Sequence, residues 1–485
     1  MVFSSLIFLY AFFPLNLLCY WLAPSIRSKN IVALCFSLVF YAWAGPKYVL
    51  LLVGMTLADW LFCLRMDRSG CTHRGRKICL VGALTVNLGL LCIFKYLTFL
   101  LSNTNSLFGW PETVPQIVLP VGISFYTFQL ISYVVDVYRR EVPAQPSFWK
   151  LLLYVSMFHQ CIAGPIVRYQ DVADEIDWRR VTRLDMAEGA GRFAVGLAKK
   201  AMLANPCGAL ANTFLCATSL ETGEALTLLS GRSVLSLWLG VLAYTMQIYL
   251  DFSAYSDMAI GMGRMIGFHY RENFNYPYIS KSVTEFWRRW HMSLSYFFRD
   301  YVYIPLGGSY CSRACHLRNL AVVWLLTGLW HGANWNFLLW GLYYLLFLMM
   351  EKFVLGGRME RIPGLLRRGY LLLVVALGWL IFRVTDLSCL VTAFRGLFGG
   401  NGNPLTDYVT QLELQNHIFF LLAALLACTP LVRNLYRRID RAVDGMPILQ
   451  KPWTVLQCVV PVLLLILSTA ALVGDQYNPF LYYRF

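Results

Sequence analysis

His331 stands in the run Leu329-Trp330-His331-Gly332-Ala333-Asn334-Trp335, and across residues 321–350 it is the one side chain that titrates near neutral pH. An ionisable group at membrane depth is expensive and usually faces a polar cavity, a pathway or a reaction centre. A neutral imidazole is the least costly such group that still accepts a proton at pH 7, so His331 is a candidate general base. Gly328 and Gly332 flank it and let the backbone turn or approach a neighbour, while Asn334 can fix a tautomer or hold a carbonyl oxygen. A histidine hydrogen-bonded between two helices fits the same residues, and His331 alone leaves both readings open.

Two other groups carry polar chemistry. The stretch Asp251-Phe252-Ser253-Ala254-Tyr255-Ser256-Asp257 sets two carboxylates and three hydroxyls at the end of an apolar run. Six helical residues make about 600° of rotation, so Asp251 and Asp257 face different ways and do not form an acid–base pair. Their expected role is structural, lining a cavity with Arg264 or the arginines at 288–299 as partners. Further on, Ser282-Val283-Thr284-Glu285 matches a capping box, and Phe286, Trp287, Trp290, Leu294, Phe297 and Phe298 follow at helical spacing. This predicts one amphipathic helix whose other strip carries Arg288, His291, Ser295 and Arg299. Such a strip suits anionic lipid headgroups or a phosphate-bearing donor equally well.

The elements that must position these residues are membrane helices. Of the 485 residues 58% are hydrophobic and 14% charged, against about a quarter charged in soluble chains. Long apolar stretches such as 5–24, 78–101 and 453–473 match the ~20 residues that cross ~30 Å of hydrocarbon. Further candidates are 30–43, 48–64, 117–138, 151–165, 193–216, 226–250, 318–333, 335–350, 369–384 and 417–432. They run from one end of the chain to the other, which predicts a single integral membrane domain over 1–485. Several are too short to cross alone, and 151–165, ending in Ala163-Gly164-Pro165 before Arg168, suits a re-entrant helix.

Loops at 65–77, 352–368 and 433–451 are basic, whereas 102–116, 217–225 and 399–416 contain no Lys or Arg. The positive-inside rule places the first set in the cytoplasm and the second outside, which puts both termini outside. No Lys or Arg precedes Arg27, so the first apolar run lacks a signal-peptide n-region and is expected to remain on the mature protein. The Arg- and aromatic-rich stretch 264–316 has no clean span and is expected at the cytoplasmic interface. The balance of 41 Lys and Arg over 26 Asp and Glu belongs to those cytoplasmic loops in so apolar a chain, so no nucleic-acid partner is expected. The 14 cysteines show no paired framework, and Cys311, Cys315 and His316 lack a second ligand pair at zinc spacing, so neither disulfides nor a metal are expected. Gly261-Met262-Gly263 and Gly307-Gly308 follow no strand and precede no P-loop lysine, and no serine-hydrolase elbow or zinc-protease motif occurs.

Taken together, the motifs resemble the membrane-bound O-acyltransferase family, in particular its bacterial branch with the alginate O-acetyltransferases and the D-alanyl transferases of teichoic acid. The pieces are Met1-Val2-Phe3-Ser4-Ser5, Leu119-Pro120-Val121-Gly122-Ile123-Ser124-Phe125-Tyr126, Ala163-Gly164-Pro165-Ile166-Val167-Arg168-Tyr169 and the 251–261 stretch. Sharper ones are Phe286-Trp287-Arg288-Arg289-Trp290-His291-Met292-Ser293-Leu294-Ser295, running on to Gly308, and the 326–340 stretch around His331. The resemblance implies an all-α, polytopic ring of about 11–13 membrane helices with re-entrant segments around a central tunnel, with 264–316 as a cytoplasmic funnel. It matches His331 to the family's catalytic histidine and His291 to its funnel-side histidine. Arg288, Ser295, Arg299, Asn334, Asp251 and Asp257 fall to donor binding or the cavity lining. The opening Met-Val-Phe-Ser-Ser and the closing Asn478-Pro479-Phe480-Leu481-Tyr482-Tyr483-Arg484-Phe485 look more like the alginate-acetylating branch.

That branch implies an inner-membrane enzyme moving acetyl from cytoplasmic acetyl-coenzyme A, with no tightly bound cofactor, to an extracytoplasmic polysaccharide or a partner SGNH-type acetyltransferase. A D-alanyl transferase fed by a carrier protein and a transporter with a proton-relay histidine are the alternatives.

Overall fold

Backbone in hydrocarbon must satisfy its own N–H and C=O groups, and an apolar chain does this by forming helix. The computed structural model describes residues 1–109, 114–115, 117–162, 164–215 and 220–474, and no strand occurs among them. The first half contains α1 (Phe13–Leu22), α2 (Ile26–Ala42), α3 (Lys47–Asp67), α4 (His73–Phe108), α5 (Ile123–Arg139), α6 (Phe148–Ser156), α7 (Phe158–Cys161), α8 (Tyr169–Asp177), α9 (Arg183–Ala198), α10 (Asn205–Leu215), α11 (Thr222–Gly231) and α12 (Val234–Met265). The second contains α13 (Val283–Arg289), α14 (Met292–Phe298), α15 (Arg313–His331), α16 (Trp335–Met349), α17 (Gly364–Arg383), α18 (Leu387–Leu397), α19 (Tyr408–Ala427), α20 (Leu431–Asp444) and α21 (Pro447–Gly474).

Among the described residues seven helices are long and apolar enough to cross a bilayer: α3, α4, α12, α16 with its continuation to Arg361, α17, α19 and α21. The polytopic all-α class expected from the sequence is the one that forms, but several apolar stretches end up in shorter pieces. The 151–165 stretch becomes α6, nine residues long, and the single turn α7. Nine residues rise about 14 Å, half the depth of the hydrocarbon. Residues 151–162 are nonetheless buried throughout, the break at Met157 included. Protein rather than lipid therefore covers the interrupted backbone, which is the condition for stopping a helix at membrane depth. Ala163, the residues at 216–219 and the 478–485 motif lie outside the described residues.

α12 is the hub. Its 32 residues are mostly buried, with 78% of the apolar window inside the protein against 11% for α21. α9 and the π-helical stretch Lys199–Ala204 lie along it and supply the cations that its carboxylates need. Lys200 Nζ sits 2.8 Å from Asp251 Oδ1, with both side chains less than 5% exposed. Asp257 is held by Arg192 at 2.9 Å and by Lys199. The partners expected for the two aspartates are thus corrected. Arg264 instead binds Asp185, at 3.2 Å, and Glu188, both in the first turns of α9. Asp251 and Asp257 are reached by two consecutive lysines of one π-helical stretch, Lys200 and Lys199.

α15 and α16 form a hairpin that touches backbone to backbone. A Cβ on Gly328 would stand 2.5 Å from the Phe337 carbonyl oxygen, and one on Gly341 2.5 Å from that of Trp324. Small residues at such crossings let membrane helices approach closely. Gly328→Val is therefore expected to cost about 1–3 kcal/mol by overpacking and to lower the melting temperature in detergent. Melting like the wild type would show that the hairpin opens without penalty.

Candidate active site

α15 ends at His331, Gly332 continues in extended conformation, and Asn334 caps α16 by accepting the Asn336 backbone N–H at 3.5 Å. Asn336 is fully buried, and its Nδ2 donates to the carbonyls of Ile381 at 3.1 Å and Phe382 at 3.0 Å. That pair of bonds ties the hairpin to the end of α17. The His331 ring, 3% exposed, then lies among Trp330, Trp340 and Phe382, with centroids 5.0, 4.9 and 5.1 Å away. All three meet it edge to face, the geometry that aromatic quadrupoles favour.

The amphipathic helix expected over 286–299 is broken at its centre. α13 ends at Arg289 and α14 begins at Met292, with His291 between them at φ 43° and ψ 55°. That left-handed conformation is uncommon for a residue with a Cβ and requires support from its surroundings. The support comes from the extended segment after α12: Asn275 N–H donates to the Arg289 carbonyl at 2.9 Å and Met292 N–H to the Asn273 carbonyl at 3.0 Å. Ser282 caps α13 as the capping-box motif predicts, at 3.0 Å. Glu351 strengthens that end, accepting the backbone N–H groups of Val283 at 2.6 Å and Thr284 at 2.9 Å. The break rotates His291 off the basic strip and into the core, where it is 1% exposed.

Asn273, fully buried, then decides the state of that imidazole. Its Oδ1 accepts the Ser293 hydroxyl at 2.9 Å and the Ser293 backbone N–H at 3.3 Å, so this atom is an acceptor. His291 Nδ1 lies 3.2 Å from the same oxygen and must carry the proton. The lone pair is left on Nε2, which is buried and has no hydrogen-bond partner among the described residues. His291 and His331 meet across one indole, with Trp330 5.9 Å from the first ring and 5.0 Å from the second. Asn273→Ala strands a buried imidazole N–H, a loss of about 1–3 kcal/mol. It is expected to depress turnover while the variant still folds; turnover equal to the wild type would show that a held His291 tautomer is not required.

The other residues singled out from the sequence lie away from this pair. Arg288 and Arg299 are exposed, and Ser295 donates its hydroxyl to the Trp287 carbonyl at 3.1 Å. Arg299 and Arg168 share Asp300, each with a 2.5 Å contact. Burial works to raise the Asp300 carboxyl, but the hydrogen bonds from Arg299 and Arg168 outweigh it and hold it below the usual carboxylate range. A recess beside them is lined by Pro165, Arg168, Asp171, Arg271, Ser293 and Tyr296. Ser293 thus borders the recess and bonds to Asn273 at once. Sequence reasoning missed Asn273, Glu351 and also Lys95, which is buried in the middle of the 78–101 stretch. Lys95 carried a legible signal, a cation inside an apolar run. Asn273 and Glu351 carried none, since their partners are distant in the chain.

Fold and site together define a multi-pass helical membrane protein built around a buried pair of imidazoles. Residues 139–391 match the family described as MBOAT, membrane-bound O-acyltransferase family. The chain is 41% identical over 402 residues to "Probable alginate O-acetylase AlgI" of Pseudomonas aeruginosa, covering 82% of this chain and 75% of that one. It is 35% identical to the protein of that name in Pseudomonas putida over the full length of both. A peptidoglycan O-acetyltransferase of Helicobacter pylori is 31% identical, over 84% of this chain and 81% of its own. The chain belongs to the membrane-bound O-acyltransferase family, and it is an O-acyltransferase.

Proposed function

We propose that this O-acyltransferase moves an acetyl group from acetyl-coenzyme A to a hydroxyl of an extracytoplasmic polysaccharide, directly or through a partner SGNH-type acetyltransferase. The observation that carries this reading is the pair of buried imidazoles that both pack against Trp330. Relatives named for acetylation of alginate and of peptidoglycan support acetyl as the group and a polysaccharide as the acceptor. In the proposed reaction His331 takes the proton from the acceptor hydroxyl, and the oxygen attacks the thioester carbonyl. The carbon–sulfur bond breaks, and the coenzyme A thiolate leaves and is protonated.

His291, with its lone pair on Nε2, accepts a hydrogen bond or a proton beside Trp330. The positive-inside rule puts the recess on the cytoplasmic side; its lining holds Arg168 and Arg271 together with Asp171 and Glu272, and the coenzyme A phosphates would bind its arginines in competition with the carboxylates now paired to them, Asp300 and Asp171. Arg299, through the Asp300 it shares with Arg168, adds charge beside that recess. Asn334 caps α16 through Oδ1, so its Nδ2 can still donate to the oxyanion alongside backbone N–H groups around Gly332. The test is release of free coenzyme A from acetyl-coenzyme A by purified protein in nanodiscs, with ester formed on an added polysaccharide or partner. Absence of release in folded protein with its acceptor would exclude acetyl-coenzyme A as donor and bring a carrier-protein thioester forward.

A further inference from the structure

A buried lysine is costly and needs a reason. Lys95 of α4 is 8% exposed, and its Nζ donates to the Trp330 carbonyl oxygen and to Ser124 Oγ of α5, the latter at 3.0 Å. The next residue acts in the same place, since the Tyr96 hydroxyl donates to the Leu329 carbonyl at 2.6 Å. Leu329 and Trp330 belong to the last turn of α15, where the final four carbonyls of a helix have no partner within it. The negative end of the helix dipole lies there too, and at this depth no bulk water is available to either.

We propose that Lys95 is a positioning residue for acyl transfer: with Tyr96 it clamps the C-terminal turn of α15 and so aims the His331 imidazole. The proposal rests on the reading of His331 given above. A cation suits the position because it meets both the unpartnered carbonyl and the dipole, and two consecutive donors on α4 oppose two consecutive acceptors on α15. The ammonium also stands 5.8 Å from the centre of the Trp330 ring, whose Nε1 donates to the Ser124 carbonyl at 3.5 Å. Lys95 and Ser124 therefore fix the indole against which both imidazoles pack. Loss of the clamp lets the last turn of α15 fray, and small displacements of a catalytic group are enough to remove roughly 10²-fold of rate.

The test compares Lys95→Met and Tyr96→Phe with His331→Ala in intact protein in nanodiscs. The readout is thiol release from the acyl thioester that the wild type turns over, normalised to donor-binding molecules. Lys95→Met is expected to lower kcat by roughly 10²-fold with donor KM nearly unchanged. Tyr96→Phe, which keeps its ring and loses one neutral hydrogen bond, is expected to lower kcat about threefold to tenfold. In the His331→Ala background Lys95→Met is expected to add no further loss, because it acts through that imidazole. A Lys95→Met enzyme with wild-type kcat beside an inactive His331→Ala enzyme overturns the clamp and leaves the His331 reading intact. Wild-type turnover by His331→Ala instead removes that reading, and the clamp with it. An effect confined to KM overturns the proposal as well, since it would make Lys95 a donor-binding residue. Should Lys95→Met fail to fold, Tyr96→Phe decides alone, and wild-type kcat there overturns the clamp.

Discussion

Replacing His331 by alanine is expected to lower kcat about 10²- to 10⁴-fold, the usual worth of a positioned general base. Folding and donor binding should be largely retained, for two reasons. The ring makes edge contacts with Trp330, Trp340 and Phe382, and these three also hold each other or other neighbours: Trp340 and Phe382 lie 5.4 Å apart, and Trp330 packs 5.7 Å from Phe128. The recess where the donor is expected is lined by Ser293 and Tyr296 among others, and His331 is not part of its lining. The measurement is coenzyme A release by folded, donor-binding protein, with His331→Gln as a companion that fills more of the ring's volume. Activity of both variants within tenfold of the wild type would move the base elsewhere, and His291, whose Nε2 lone pair is already exposed to the buried centre, would be the next residue to test.

The second large effect is on stability. Lys200→Met removes the cation from Asp251 in a site where both side chains are almost wholly buried. Removing one partner of such a buried pair costs about 3–5 kcal/mol, because its ionic bond to the other is lost where water does not replace it. A marked fall in the detergent melting temperature is expected. Replacing both partners, Lys200→Met with Asp251→Leu, is expected to recover most of that fall, since neither charge then has to be held in the buried site. A double variant that melts no higher than Lys200→Met would mean that the pair contributes through its ionic bond rather than through the penalty of separating it. The experiment also separates the roles of the two aspartates. Asp257 is shared between Arg192 and Lys199 and is more exposed, so its removal is expected to cost less.

Much of this protein follows from local features. Composition and the lengths of the apolar runs determine a multi-pass helical membrane protein, because only helix satisfies the backbone of such runs in lipid. The isolation of His331 in an apolar hairpin, and the order of motifs from Met1 to Trp340, point to an O-acyltransferase and to that residue. Each of these signals resides in a few neighbouring residues, so no knowledge of the fold is needed to see it. Even here one signal went unused: the 78–101 stretch was legible as a span, and the lysine inside it was legible as an anomaly.

Tertiary structure decided the rest. Periodicity through 286–299 describes a continuous amphipathic helix, yet hydrogen bonds from residues 273–275, some 15 places earlier in the chain, break it and turn His291 inward. Asp251 and Asp257 find their cations on the stretch carrying Lys199 and Lys200, about fifty residues away, and Lys95 finds its acceptor on Trp330. The physical reason is the same in each case. A helix and its burial are set by the spacing of side chains along one segment. The partner of a buried charge, and the tautomer of a buried imidazole, depend on which groups the packing of distant segments delivers, and the cost of leaving them unpaired at membrane depth makes that delivery decisive.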